Sequence, residues 1–374
     1  MDKRLLLFLL VGLMVRVCYV LTLENRFYFP DEKGFDRLGL NISQFNGYSY
    51  SKEPPYRPTA HRVPVYPLFV GLCYLIFGHN FLSVRLLQSL LSILSAVIIY
   101  HIAKRLNKSC ALISSAIYSL WPFSIFYCGY LLTETLFIFL FLSFFALFLS
   151  ERKLSAGILF GLCLLTKPSL LLFPLFLFFF RGRLSALSFL YTMLISFSIL
   201  SLWSLRNTIS CGEFVLISTR GGAHLYEALH PDNKDGGPLR FKMPEETKGM
   251  SPAEADRYFR NKAIGFIKED PKRFFKLCVK KFFRFWDVSL HAEGYRSLKY
   301  NIISWCTYLP VLILGIFGIF ASLSQPSRFL LLYTPILYFT LLHMIVVSSI
   351  RYREPVMPFL IIFGSWGINR LLSR

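Results

Sequence analysis

Hydrophobic positions along this chain fall into runs near 4–23, 81–103, 110–128, 129–150, 154–166, 168–180, 184–204, 301–322, 328–348 and 355–371. Most approach the roughly 20 apolar residues that a spanning helix needs. The pattern predicts an all-α polytopic membrane protein with a bundle of about ten transmembrane helices. The connections alternate in character. "MDKR", "AKRLNKS", "SERK", "RGR", "SQPSR" and "NRLLSR" are short and basic, and the positive-inside rule assigns them to the cytoplasm together with both termini. Residues 24–80, the "WPFSIFYCGY" turn, "TKP", residues 205–300 and "SSIRYREP" then face outward.

Two segments decide that scheme. "VPVYPLFVGLCYLIFG" (63–78) is short for a crossing and reads as re-entrant or interfacial. The run 154–180 carries Pro168 at its middle and reads as a broken hairpin of two short helices, because only that version leaves "RGR" on the basic side. The first run has no separate cleavage site and reads as an uncleaved signal anchor.

Composition agrees with a bilayer: 55% of residues are hydrophobic and 17% aromatic, against about 45–50% apolar in soluble domains. A net charge of +20 is the kind of excess that nucleic-acid binders carry. In a polytopic protein it collects in cytoplasmic loops and at anionic headgroups, so no nucleic-acid partner is inferred. The eight cysteines form no CxxC pair and lie mostly inside apolar runs, with Cys211 and Cys278 in the polar stretch as one possible bridge. The seven histidines show no metal-binding spacing, and no metal or cofactor is inferred.

The chain divides into an N-terminal transmembrane module (1–204) with a catalytic outer loop (24–80), an extracytoplasmic domain (205–300) and C-terminal transmembrane helices (301–374). In the middle segment "GEFVLIST" reads as a strand, so a small α/β domain is expected. Ser251, Pro252 and Glu254 form a helix-start signature, and Asp270-Pro271 starts another helix. That second helix, "PKRFFKLCVKKFFRFW", mixes lysines with phenylalanines and suits the headgroup layer.

On this topology the unusual polar residues share the outer side. They are Asp31, Glu32, His61 and Arg62 in the first loop, Glu134 about two turns inside its span, Lys167 at the hairpin tip, Arg206, Arg220 and His224 after the seventh run, and Arg351-Tyr352-Arg353-Glu354 before the last. Ionisable residues at membrane depth are costly, which makes each a site candidate. The competing reading for Arg16 and Arg85 is structural, with Arg85 paired to Glu134, and for Arg351 and Arg353 it is lipid phosphate. Asp31 is the candidate base and Glu32 its catalytic neighbour, which shapes the loop or helps bind the acceptor. A carboxylate can take the proton of an attacking hydroxyl, while nearby cations stabilise a departing phosphate. Together these demands describe glycosyl transfer from a membrane-anchored sugar phosphate. The alternative is a lipid-linked-sugar transporter or flippase without transferase activity, although neither internal repeats nor midplane polar sites are evident. A lipid-binding subunit of an envelope assembly is a third reading.

"PDEKGFDRLG", "HRVPVYPLFVGLCYLIFGHNFLSVRLL", "TETLF", "GILFGLCLLTKP", "RNTISCGEFVLISTRGGAHLY" and "RYREPVMPFLIIFGSWGI" stand in an order that resembles the C-type fold glycosyltransferases using polyprenyl-phosphate sugars. The nearest resemblance is to the protein O-mannosyltransferase and aminoarabinose transferase group. It implies an inverting single displacement with Asp31 as base and Arg62 by the donor phosphate. Glu134 matches the second acid and Tyr352 a tyrosine near the phosphate. His61, Tyr66, Lys167, Arg206, Arg220, Arg351 and Arg353 complete the substrate-binding set. The implied partners are a polyprenyl-phosphate sugar, a hydroxyl acceptor of the envelope (lipid, glycan or protein) and membrane lipids. The implied place is a plasma (bacterial inner) membrane. The relatives' large outer domains have no counterpart here, which leaves the acceptor open.

Overall fold

The apolar runs become helices in the computed structural model, which describes every residue except 1, 181, 183, 184, 240, 291–296, 373 and 374. Helix α1 (Lys3–Leu21) is capped by the Asp2 carboxylate, which accepts from the Arg4 amide at 3.0 Å. Two short helices follow, α2 (Pro30–Ser43) and α3 (Val65–Phe77), packed on each other. Next come α4 (Phe81–Lys104), α5 (Lys108–Ser119), α6 (Pro122–Cys128), α7 (Glu134–Phe148), α8 (Lys153–Leu164), α9 (Phe173–Phe180) and α10 (Ala186–Cys211). The polar middle contributes α11 (Gly221–Leu229), α12 (Pro252–Glu269) and α13 (Pro271–Trp286). The chain closes with α14 (Leu298–Ser322), α15 (Leu330–Ile345), the single turn α16 (Ile350–Arg353) and α17 (Met357–Leu372).

Among the described residues, five helices are long and apolar enough to cross a bilayer: α1, α4, α10, α14 and the continuous stretch Ile350–Leu372. A sixth forms if α5 and α6, bent by 49°, count as one span. The other expected spans are shorter apolar helices. The bend falls at Pro122, which opens α6 and has no amide N–H to donate back into α5, and a buried cation braces it. Arg16, fully buried in α1, donates to the carbonyls of Tyr118 and Ser119 (3.3 and 2.5 Å) and to Ser92 and Ser124. A cation thus holds carbonyls at the C-terminal end of α5, where intrahelical partners run out. Its role is structural.

The helices are turned as a bilayer requires. α10 points Leu194, Leu202 and Leu205 outward and buries Ser188, Thr192 and Ser196. Lipid is as apolar as leucine, so close packing rather than hydrophobicity drives helices together. The α14–α17 pair shows this best. A Cβ on Gly318 would collide with the Phe363 carbonyl, so only glycine permits that approach.

Contacts separate the connections into two ends. At one end Lys108 meets Asp2 (3.6 Å), Arg105 donates to the Leu149 carbonyl (2.7 Å) and Arg328 to that of Leu106 (3.2 Å). Gly182 lies against Leu330 there, in a groove it shares with Arg105, Leu149 and Arg328. At the other end the Val65 amide donates to the Leu165 carbonyl (3.1 Å) and Arg206 to that of Thr59 (2.6 Å). The chain therefore reaches the second end at residues 165–167 and is back at the first by Gly182, which is the broken hairpin and not one kinked helix. The remainder of "RGR", Arg181 and Arg183, lies outside the described residues, as do Ser373 and Arg374 of "NRLLSR".

Several expectations are corrected. No β-strand occurs among the described residues, so the middle segment is helical and irregular, not α/β. "GEFVLIST" runs back along the end of α10 with its carbonyls taken by side chains. Trp203 and Asn207 donate to the Ile217 oxygen (2.9 and 3.0 Å) and Ser204 to that of Val215 (3.2 Å). Strand propensity needs a partner strand, and none is offered. The run 129–150 is not wholly helical: residues 129–133 are unwound, and Glu134 is the first residue of α7, not two turns inside it. All eight cysteines are free, Cys211 and Cys278 included.

Candidate active site

The sequence reading placed Asp31 and Glu32 in a loop, whereas they occupy the first turn of α2. Phe29 caps that helix in an extended conformation and Pro30 takes its first position. Glu32, three residues past the cap, reaches back to accept from the amides of Tyr28 and Phe29 (2.7 Å each). Its other oxygen accepts from the Leu131 amide at 3.0 Å. Glu32, expected as the catalytic neighbour that shapes the loop or helps bind the acceptor, is fully buried and taken up by three backbone donors. It anchors α2 to the unwound stretch before α7. Asp31, rotated about 100° from it on the helix, keeps a side chain 33% exposed.

Cations from three distant segments meet at Asp31. Arg62, in the link before α3, donates to Oδ1 at 2.9 Å. Its guanidinium lies 4.1 Å over the Phe35 ring, which itself packs edge-on against Tyr66. Gly34 makes the approach possible, since a Cβ there would sit 3.0 Å from Arg62 Nη2. Arg351, on α16, donates from Nη1 to Asp31 Oδ2 at 2.9 Å and from Nε to Glu134 Oε1 at 2.7 Å. Arg220, the residue capping α11, stands 4.0 Å from Asp31 Oδ1. Glu134 is completely buried, and Lys167 donates to it at 3.0 Å.

Two carboxylates thus face four cations. Burial works to raise the Asp31 pKa, but the charges of Arg351 and Arg62, with Arg220 behind them, outweigh it and hold the carboxyl well below its usual range. Asp31 is therefore ionised. Tyr50 and His61 stand beside this cluster, ring centroids 6.0 Å apart, in the electrostatic reach of Arg62 and Arg220. Tyr50 was not singled out from the sequence, where it is one of 20 tyrosines with no distinguishing pattern.

Other expected site residues make their contacts away from the Asp31 carboxylate. Tyr66 is buried and donates to Gln88 Oε1 at 2.8 Å, reaching the site only through Phe35. Arg206 donates to the Thr59 carbonyl and lies over Trp203 and Tyr48. Arg353 is buried, donates to the carbonyls of Phe285 and Asp287 (3.1 and 2.7 Å) and covers the Tyr308 ring at 3.6 Å. Tyr352 stacks on His343, nearly parallel at 4.8 Å, with the Lys167 ammonium 5.9 Å from its ring. Arg85 does not pair with Glu134. It donates to the carbonyls of Leu23 and Glu24 just after α1.

No group of three or more His, Cys, Asp or Glu side chains among the described residues is placed to hold a metal ion. The two acids nearest to such a role, Asp31 and Glu134, are bridged by Arg351. This arrangement does not fit a divalent cation.

Residues 57–204 match the family model described as dolichyl-phosphate-mannose-protein mannosyltransferase. No curated protein matches the chain. Among solved structures, an oligosaccharyltransferase of Archaeoglobus fulgidus tethered to an acceptor peptide shares the fold at TM-score 0.53 and 14% identity, covering 100% of this chain and 50% of that one. The same enzyme with Zn and sulfate aligns at TM-score 0.56 and 14% identity, covering 98% and 49%. ArnT from Cupriavidus metallidurans bound to undecaprenyl phosphate aligns at TM-score 0.46 and 12% identity, covering 98% and 78%. The chain spans about half the length of the oligosaccharyltransferase. The family-model match over part of the chain and the fold shared with the oligosaccharyltransferase agree with the resemblance drawn from the sequence motifs.

Proposed function

We propose that this chain is a membrane glycosyltransferase that moves a sugar from a polyprenyl-phosphate-linked donor to a hydroxyl acceptor. The reaction runs at the extracytoplasmic face of a plasma (bacterial inner) membrane with both termini in the cytoplasm, and it inverts the anomeric centre. The observation that carries the reading is the convergence of Arg62, Arg351 and Arg220 on the single carboxylate of Asp31. Four cations against two acids leave a positive excess for which a phosphodiester is the natural counter-ion. The name of the matching family model points the same way.

The donor phosphate enters among Arg62, Arg220 and Arg351 and competes for the guanidinium donors that Asp31 holds alone. That competition frees a carboxylate oxygen for the acceptor. The acceptor oxygen attacks the anomeric carbon, its proton passes to Asp31, and the carbon–oxygen bond to phosphate breaks. The leaving phosphate takes the electron pair toward the arginines. A low pKa does not disable Asp31, because the attacking hydroxyl becomes strongly acidic as its bond to carbon forms. Glu134 holds Arg351 and Lys167 in place from below, and its second oxygen, buried without a hydrogen-bond partner, remains an acceptor for a substrate hydroxyl. Residues 205–300 form the outer domain and carry Arg220.

The test is Asp31→Asn, which preserves shape and removes the base. Reconstituted protein should lose transfer by several orders of magnitude while inserting normally. Envelope glycans and lipids compared by mass spectrometry, with and without the protein, identify the product. Wild-type rates in the Asn variant refute the assignment. Movement of donor lipid between leaflets without transfer would favour the transporter instead.

A further inference from the structure

Helix α13 looks from its composition like a surface element, and most of its cations behave that way. Lys272, Lys276 and Lys280 are exposed beside Phe275, Val279 and Phe283. Lys281 does not. It shares the inward arc with Leu277, Cys278 and Phe285, and it is wholly buried. It pairs with no carboxylate among the described residues. Its ammonium instead donates to two backbone carbonyls, Ala228 at 3.0 Å and Ile345 at 2.6 Å.

Those carbonyls belong to the ends of two different helices. Ala228 is in the last turn of α11 and Ile345 is the last residue of α15. Helix C-termini carry unpaired carbonyls and the negative end of the dipole, so one buried cation serves both. At its other end α11 begins with Arg220, about 12 Å away along a rigid helix. Beyond α15 the chain needs six residues to reach Arg351. Lys281 therefore ties together the two elements that deliver Arg220 and Arg351 to Asp31.

The surroundings reinforce the tie. Ser348, three residues before Arg351, donates its hydroxyl to the Lys281 carbonyl at 2.9 Å and its amide to that of Gly236 at 3.0 Å. Arg284, on the same helix, donates to the Ser348 carbonyl at 3.2 Å. Gly236 has φ of +79° and lies directly against the Lys281 side chain, where a Cβ would overlap it. The ring column from Phe285 through His343 to Tyr352, each pair near-parallel, runs from α13 to α16 beside this clamp.

We propose that Lys281 is a positioning residue of the active site, the shared anchor that sets Arg220 and Arg351 at their working distance from Asp31. The inference rests on the assignment of those two arginines to the donor phosphate. Losing the ammonium orphans two carbonyls and lets both arginine-bearing segments shift together. A displacement of about 1 Å remote from the chemistry is enough to lower turnover about a hundredfold.

The experiment compares Lys281→Met, Lys281→Arg and the exposed control Lys276→Met in reconstituted full-length protein. Hydrogen exchange is read over residues 221–229 and 345–351, and kcat/KM is measured for the lipid-linked donor. In Lys281→Met both segments should exchange faster together and kcat/KM should fall about a hundredfold. Lys281→Arg should restore most of both, and Lys276→Met should match wild type. Should Lys281→Met fail to insert, Ser348→Ala removes one tie to the same lysine and should move both readouts in the same direction. Unchanged exchange in both segments, or faster exchange with wild-type kcat/KM, overturns the proposal. A wild type that exchanges as expected but transfers no sugar would overturn the functional assignment, and the exchange arm would still decide the anchor.

Discussion

Arg351 is the residue whose removal tests the site most directly, because among the described residues it alone pairs with both Asp31 and Glu134. Arg351→Met deletes the Nε bond to Glu134 (2.7 Å) and the Nη1 bond to Asp31 (2.9 Å). The two losses are unequal. Stripping a buried charge of its whole partner costs about 3–5 kcal/mol, and Glu134 has no exposure but keeps Lys167. That arm should cost about 2–3 kcal/mol. Asp31 is one-third exposed and keeps Arg62, so solvent screening reduces its arm to about 0–1 kcal/mol. The sum, about 3 kcal/mol, should appear as a thermal midpoint several degrees lower in detergent.

The rate should suffer separately. Removing one donor that faces developing charge costs about 10²–10³-fold in kcat. Arg351→Lys keeps the charge but cannot reach two carboxylates with a planar fork, so it should fall between Met and wild type in both assays. Initial rates with purified donor and acceptor, measured on protein whose folded fraction is known, separate the effects. A folded Arg351→Met enzyme with kcat within about threefold of wild type refutes the placement of Arg351 at the phosphate.

Two further outcomes follow from the other carboxylates. The Asp31 pKa is lowered in the folded protein, so its stabilising ion pairs are complete above the unfolded value of about 4 and fade only as pH falls through the depressed one. His61, lowered to about 4 by burial and by the neighbouring Arg220 and Arg62, is neutral from pH 7 down to about 5. The kcat/KM profile should therefore be flat on its acid side from pH 7 down to about 5, and a limb above 6 that persists in His61→Gln would remove Asp31 as the base. Glu32→Gln turns one acceptor into a donor facing backbone amides, which should cost about 1–3 kcal/mol and leave turnover per folded molecule near wild type. A collapse of kcat with an unchanged melt would return Glu32 to the chemistry.

The helices were legible because runs of bilayer length leave the backbone few other choices. Composition could not separate helix from buried loop, however. Residues 129–133 are as apolar as their neighbours, and they stay unwound because Glu32 takes the Leu131 amide from outside the segment. Depth in the sequence also revealed which cations lie at the site end, but not where they point. Arg206 and Arg353 sit beside the cluster and spend their donors on backbone carbonyls. Lys281 carried a usable signal, its place on the arc of Leu277, Cys278 and Phe285, which the basic character of the helix concealed. What α13 packs against decides the matter, and only tertiary structure supplies that.

A pattern connects the two charged clusters in the sequence. Neighbouring residues on one helical turn diverge by about 100°, so adjacent charges are sent to different tasks. Asp31 faces the arginines while Glu32 fastens its helix to residue 131. Arg351 faces the carboxylates, Tyr352 stacks on His343, Arg353 holds carbonyls of α13 and its exit, and Glu354 accepts from Trp121 at 3.2 Å. In both places a charge that meets the ion-pair cluster lies within two residues of a charge sunk in the scaffold. A guanidinium on a long side chain has many rotamers, and a fixed backbone with a locked neighbour removes most of them before substrate arrives. The buried charges thus do their work by limiting where Asp31 and Arg351 can go.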